Sequence, residues 1–241
     1  MTNVRWFDDV LPGEAFSTFH RYVEDLEKRP SIYGANIWQR NDENPFESRL
    51  TFWSPAASQP QREQSLPGGG SLAELLGSDD FAVSPTSTAH DAVIAAVTER
   101  ASMIADLVGV PGKDWVGIVS KVYAYPSRAK AIWHTDAGPY SGAFVFYAHD
   151  AWDRNWGGQF LFGDAQPSKD ASPNEGQFLT PLPNRLVVIK AGTPHMVANV
   201  SEPAGARSRM SLAGFFVRPD GVNRLLEEIM KARRARDERP T

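Results

Sequence analysis

The sequence contains no cysteine, which removes disulfide bridges, thiolate metal sites and a cysteine nucleophile together. Any bound metal must therefore rest on His, Asp or Glu. Histidine is also scarce, with only five in 241 residues, so few combinations of imidazole ligands exist. No run of about 18 uninterrupted apolar residues occurs, and the N-terminal stretch through Trp6-Phe7-Asp8-Asp9 lacks the apolar core of a signal peptide. The expectation is a cytoplasmic chain with no membrane segment. With 25 basic against 29 acidic residues and no long basic stripe in its body, it carries no electrostatic footprint for nucleic acid. A small molecule or a peptide is the expected partner.

The chain is 41% hydrophobic and 22% charged, ordinary for a protein that buries a core. Its 241 residues fit one domain, because β-sandwiches and barrels of about 200–250 residues are routine. Residues 1–112 read as helical support. Phe16, Phe19, Val23 and Leu26 repeat at helical spacing from Gly13 to Lys28, and Val93, Ile94, Val97, Met103 and Ile104 do so over Thr88–Leu107. Between them, Ser54–Ser87 is rich in Ser, Pro, Gly and Gln, the composition of either a lid over a site or a disordered loop.

From Trp115 to Arg218 the texture becomes that of short strands. A first strand ends near Tyr125, and further runs cover Gly142–Ala148, Gln159–Phe162, Arg185–Lys190, His195–Val200 and Arg209–Val217. Several short strands after two helices predict a mainly β fold, a sandwich or jelly roll with helices on one side. Gly221–Arg236 reads as a closing helix whose basic end suits the helix dipole.

His134-Thr135-Asp136 follows the first long strand. In extended chain, residues two apart project to the same side, so His134 and Asp136 can chelate one metal. His20 and His90 fall in predicted helices, and His149, in His149-Asp150-Ala151-Trp152-Asp153, reads as part of an exposed turn. His195 follows the turn Ala191-Gly192-Thr193-Pro194 and is the remaining candidate for a third ligand. Two imidazoles and a carboxylate leave half an octahedron open, the arrangement of non-haem iron oxygenases. Arg209 and Ser211 share a face of the last strand, where a guanidinium supported by a hydroxyl suits a carboxylate.

This ordered set, His134-x-Asp136, His195 and Arg209-x-Ser211, resembles the 2-oxoglutarate/Fe(II) dioxygenases, in particular their prolyl-4-hydroxylase-like branch. Tyr125-Pro126, Phe146-Tyr147 with Trp152, Gly157-Gly158-Gln159-Phe160-Leu161-Phe162 and Pro183-Asn184-Arg185-Leu186-Val187-Val188-Ile189 are similar to further parts of that branch. The resemblance covers about Val116 to Arg218. It implies a double-stranded β-helix (jelly roll, cupin-like) with Fe(II) on His134, Asp136 and His195. It also implies 2-oxoglutarate as cosubstrate, held by Arg209 with Ser211, Tyr125 and Tyr147 assisting, and O2 as oxidant. Read from the residues alone, the two tyrosines suit core packing equally well, Trp133 either lines the substrate pocket or only packs, and Lys121, Tyr123, Arg128 and Lys130 face either the site or solvent.

The implied activity is hydroxylation of an unactivated C–H bond with decarboxylation of 2-oxoglutarate to succinate. The expected substrate is a small metabolite, an amino acid or natural-product intermediate; peptidyl proline is the alternative substrate. A zinc hydrolase and a non-catalytic metal-binding jelly roll are the alternatives of other classes.

Overall fold

A computed structural model describes residues 3–27, 49–52, 88–136, 138–163 and 176–222. Along the chain these form β1 (Val4–Phe7), α1 (Gly13–Glu27), β2 (Arg49–Phe52), α2 (Thr88–Glu99), α3 (Ala101–Val108), β3 (Gly117–Tyr125), β4 (Ala131–His134), β5 (Tyr140–Tyr147), β6 (Phe160–Phe162), β7 (Gln177–Leu179), β8 (Leu186–Lys190), β9 (His195–Val197) and β10 (Arg209–Val217). The segment Ser54–Ser87 and the chain beyond Val222, where a loop and a closing helix were expected, lie outside the described residues.

The strands make two antiparallel sheets, one of six in the order β1-β8-β5-β10-β3-β2 and one of four in the order β4-β9-β6-β7. Alternation decides what each face of the larger sheet buries. Phe144 and Phe146 of β5, Leu186 and Val188 of β8, and Met210, Leu212 and Phe216 of β10 join Phe19, Val23, Val93, Val97, Ile104 and Val108 of the helices in one core. Val145, Tyr147, Val187 and Ile189, the intervening residues, pack instead with Phe160, Phe162 and Leu179 of the smaller sheet. Covered on both sides, β8 is an unbroken apolar run, Leu186-Val187-Val188-Ile189, as a strand between two layers must be.

The helix expected over Thr88–Leu107 is two helices, interrupted at Arg100. Its backbone N–H donates to the Val97 carbonyl, three residues back, and the Met103 N–H donates to the Arg100 carbonyl, again three residues back. This tighter bonding turns the chain while the Arg100 guanidinium holds the Ala96 carbonyl at 2.8 Å and lies over the Phe7 ring. Among the described residues no helix is long and apolar enough to cross a membrane.

Candidate metal centre and carboxylate anchor

Strands β4 and β9 pair with His134 opposite His195, so two residues far apart in sequence become cross-strand neighbours with ring centroids 4.3 Å apart. Asp136, just past the end of β4, closes the group. Its oxygens lie 3.9 Å from His134 Nε2 and 3.8 Å from His195 Nε2, and the three ligand atoms fall within 4.8 Å of one another. The histidines are set by the same local device. His134 Nδ1–H donates to the Ile132 carbonyl at 2.7 Å, and His195 Nδ1–H donates to the Thr193 carbonyl at 2.9 Å. A carbonyl can only accept, so both rings carry their proton on Nδ1 and keep the Nε2 lone pair for a metal.

Burial lowers the pKa of His195; the charge of Asp136 opposes that shift and His134 adds to it. The ring is held neutral, as a ligand needs to be. Two imidazoles and one carboxylate with partial solvent access suit a divalent iron that keeps open positions. Among the described residues this is the one group of three or more such side chains able to hold a metal ion.

Arg209 opens β10 and is almost completely buried. Its register partner on β3 is Tyr125, and its guanidinium carbon sits 5.1 Å from the Tyr125 ring and 4.9 Å from the Tyr147 ring. Nη2 donates to the Tyr147 hydroxyl at 3.4 Å, Nε has no partner, and no described carboxylate pairs with the group. Burial raises the pKa of both tyrosines against the pull of Arg209, so both phenols stay protonated and able to donate. The Asp136 charge also raises the Tyr125 pKa slightly. Ser211, buried, shares the inward face of β10 with Arg209 and stands opposite Tyr147 on β5.

The structure thus brings His134, Asp136 and His195 together, and Arg209, Ser211, Tyr125 and Tyr147 together. It leaves Arg128 and Lys130 exposed, with Arg128 paired to Glu202. Tyr123 is stacked on Tyr125 at 6.4 Å and Trp133 is half-buried. His149 corrects the sequence reading. It is not in an exposed turn but buried, its Nε2–H donating to the Pro181 carbonyl at 2.6 Å and its ring 4.8 Å from Trp152 and 5.8 Å from Tyr147. Its parity with Tyr147, two residues earlier, is the signal that points it inward.

Gly158 is a second residue that sequence reasoning left without a role. At φ +68° a Cβ on it would stand 3.0 Å from Arg209 Cδ and 3.2 Å from Trp152 Cζ2. Glycine takes this positive φ without strain and lets the loop lie against the arginine.

Residues 120–217 match the 2OG-Fe(II) oxygenase superfamily. A prolyl-4-hydroxylase from Pseudomonas putida is similar in structure, with a TM-score of 0.55 at 15% identity, covering 90% of this chain and 89% of that one. A prolyl hydroxylase from Trichoplax adhaerens, solved with a hypoxia inducible factor oxygen degradation domain peptide fragment, gives 0.53 at 12% identity over 90% and 84%. AviO1 from Streptomyces viridochromogenes Tue57 gives 0.52 at 13% identity over 91% of each chain. The comparison with curated proteins returns no match.

At these identities the solved structures speak for the fold, which is the double-stranded β-helix. The family match over residues 120–217 points to the class of 2-oxoglutarate-dependent dioxygenases, whose chemistry uses Fe(II), 2-oxoglutarate and O2, and the His134-Asp136-His195 group has the donor set that such a class uses.

Proposed function

We propose that His134, Asp136 and His195 bind Fe(II), that Arg209 pairs with the distal carboxylate of 2-oxoglutarate, and that the protein hydroxylates an unactivated C–H bond of a small metabolite, an amino acid or a natural-product intermediate. The observation that carries the reading is Arg209 itself. A buried guanidinium with no carboxylate beside it among the described residues is costly unless an anion from outside completes it. It accompanies a His-Asp-His cluster whose two Nε2 atoms converge on the Asp136 carboxylate.

When bound, the iron supplies oxygen activation coupled to decarboxylation of 2-oxoglutarate to succinate. The chain's own contributions are position and exclusion of water. Arg209 binds and orients the distal carboxylate through charge-assisted hydrogen bonds. The Tyr125 and Tyr147 hydroxyls, kept protonated by burial, donate beside it, and Ser211 offers a further hydroxyl on the same face. The Ile132 and Thr193 carbonyls hold the ligand imidazoles in register. Phe160, 5.4 Å from His195, keeps that side of the centre dry.

Peptidyl proline is the second reading, favoured by the similarity to the Trichoplax enzyme solved with a peptide fragment. The two are separated by incubating the Fe(II) protein with 2-oxoglutarate, O2 and either amino acids and cellular metabolites or proline-containing peptides. Succinate coupled to a product one oxygen heavier is expected from the first set. Coupling only to peptides would transfer the assignment to a prolyl hydroxylase.

A further inference from the structure

The end of β5 carries Tyr147, whose hydroxyl accepts from Arg209 Nη2, followed by the buried Ala148 and His149. Regular pairing of β5 with β8 stops at Phe146, so the backbone groups of this buried stretch need partners beyond the ladder. The Ala148 N–H donates to the Met210 carbonyl at 2.9 Å, which fastens the stretch to β10 one residue from Arg209. On the other side the Tyr147 N–H donates to the Arg185 carbonyl at 3.0 Å, and the Asn184 N–H donates to the Tyr147 carbonyl at 3.2 Å. The Ala148 carbonyl accepts from a side chain 128 residues away, His20 Nδ1–H at 2.9 Å.

His20 reaches it because α1 lies on β5. Phe16 and Phe19 of α1 pack against Phe146, with ring centroids 6.3 and 5.5 Å apart, and His20, four residues after Phe16, follows on the same side of the helix. Its Nε2 lies 3.7 Å from Glu24, one turn further on, so the ring is held at both ends. Asn184 grips the chain just before α1. Its Oδ1 accepts from the Leu11 N–H at 2.9 Å, its Nδ2 donates to the Leu11 carbonyl at 2.8 Å, and its own carbonyl accepts from the Val10 N–H at 3.1 Å. It does so at φ +58°, a conformation that asparagine adopts more readily than most residues. Beside it the Arg185 guanidinium binds the Asp8 carboxylate and the Thr180 carbonyl.

We infer that His20 and Asn184 are positioning residues for the 2-oxoglutarate anchor, which fix the main chain at Tyr147 and Ala148 so that the Tyr147 hydroxyl stands at the Arg209 guanidinium. The inference rests on the Arg209 reading above and extends it to residues that do not touch the ligand. A phenol oxygen lies at the far end of its side chain, so a small rotation of the main chain at Tyr147 is enough to break a hydrogen bond that already spans 3.4 Å. A contribution to stability alone would leave the affinity for 2-oxoglutarate unchanged in the folded protein.

Calorimetric titration of the anaerobic Fe(II) protein with 2-oxoglutarate, well below each variant's unfolding temperature, measures the Kd. His20→Ala is expected to raise it about tenfold, and so is Asn184→Gly, which keeps the turn but removes the grip on Leu11, the scale of one net hydrogen bond. His20→Asn is expected to recover most of the affinity, because its amide N–H takes the place of the imidazole Nδ1–H; His20→Gln, whose amide takes the place of Nε2, is not. Val97→Ala truncates a residue of the helix-side core and serves as the comparison, with lowered stability and an unchanged Kd expected. An unchanged Kd in His20→Ala or Asn184→Gly overturns the inference for that residue. Equal recovery by Asn and Gln, or equal weakening by Val97→Ala, reduces the contacts to general stability and overturns it as well. Should His20→Ala fail to fold, the Asn and Gln variants decide the matter between them. The anchor reading fails separately, if Arg209→Ala binds 2-oxoglutarate as the wild type does.

Discussion

His134 and His195 meet as cross-strand partners, and each spends its Nδ1–H on the carbonyl two residues before it. This geometry leaves Asp136 as the only described carboxylate that completes a three-residue group with the two rings. His134→Ala, Asp136→Ala and His195→Ala are each expected to lose bound iron and succinate formation. The loss should exceed the roughly 10–100-fold that outer-shell changes cost at metal sites. Iron content by mass spectrometry and succinate yield check it, and near-normal iron in any one variant removes that residue from the metal site.

Arg209→Ala is expected to raise the KM for 2-oxoglutarate while iron still binds. Truncating one partner of a buried charged pair costs on the order of 2–5 kcal/mol. Arg209→Lys should recover part of the loss, because an ammonium keeps the charge without the bidentate fork. Anaerobic titration of the Fe(II) protein with 2-oxoglutarate measures this directly. An unchanged affinity would mean that the anchor lies elsewhere.

Gly158 predicts a subtler effect. Alanine there must adopt a positive φ and press a methyl against Arg209 Cδ and Trp152. Gly158→Ala should cost about 1–3 kcal/mol of stability for the backbone conformation. It should also raise the KM for 2-oxoglutarate relative to Gly157→Ala, whose Cβ would meet the Asn199 carbonyl instead. Equal KM values for the two variants, at matched thermal stability, would separate Gly158 from the anchor.

What the sequence made legible follows from periodicity. β10 matches its expected span, Arg209–Val217, because its residues alternate between two different apolar surroundings, and the same parity put Arg209 and Ser211 on one face. The grouping of His134, Asp136 and His195 was legible because His134 and Asp136 are two apart and few other histidines exist. Contacts made across the fold were not legible. The break at Arg100 depends on a guanidinium reaching Ala96 and Phe7, while the apolar pattern simply continues through it. β7 is three residues long and only its Leu179 is buried, so it has no period to detect. His149 lies in a polar stretch, and its burial comes from a carbonyl supplied by Pro181 on a distant part of the chain.

That misread histidine yields the last prediction. Burial lowers the pKa of His149 to about 4, the Pro181 carbonyl opposing the shift and the Arg209 charge adding to it. The unfolded chain therefore takes up a proton near the ordinary value of about 6.5 while the folded protein resists, so the unfolded state binds more protons between those two values. Stability from this group is complete above about pH 6.5, falls as the pH drops, and has gone once the pH is below about 4. The loss is about 2 kcal/mol by pH 5 and on the order of 3 kcal/mol in total. His149→Gln removes the titration yet keeps an amide N–H for the Pro181 carbonyl. Urea unfolding at pH 7 and pH 5 is expected to show the wild type losing about 2 kcal/mol more than this variant between the two conditions. Parallel losses in the two proteins would mean that His149 protonates in the folded state at an ordinary pH, and that its ring is not sealed behind Trp152 and Tyr147.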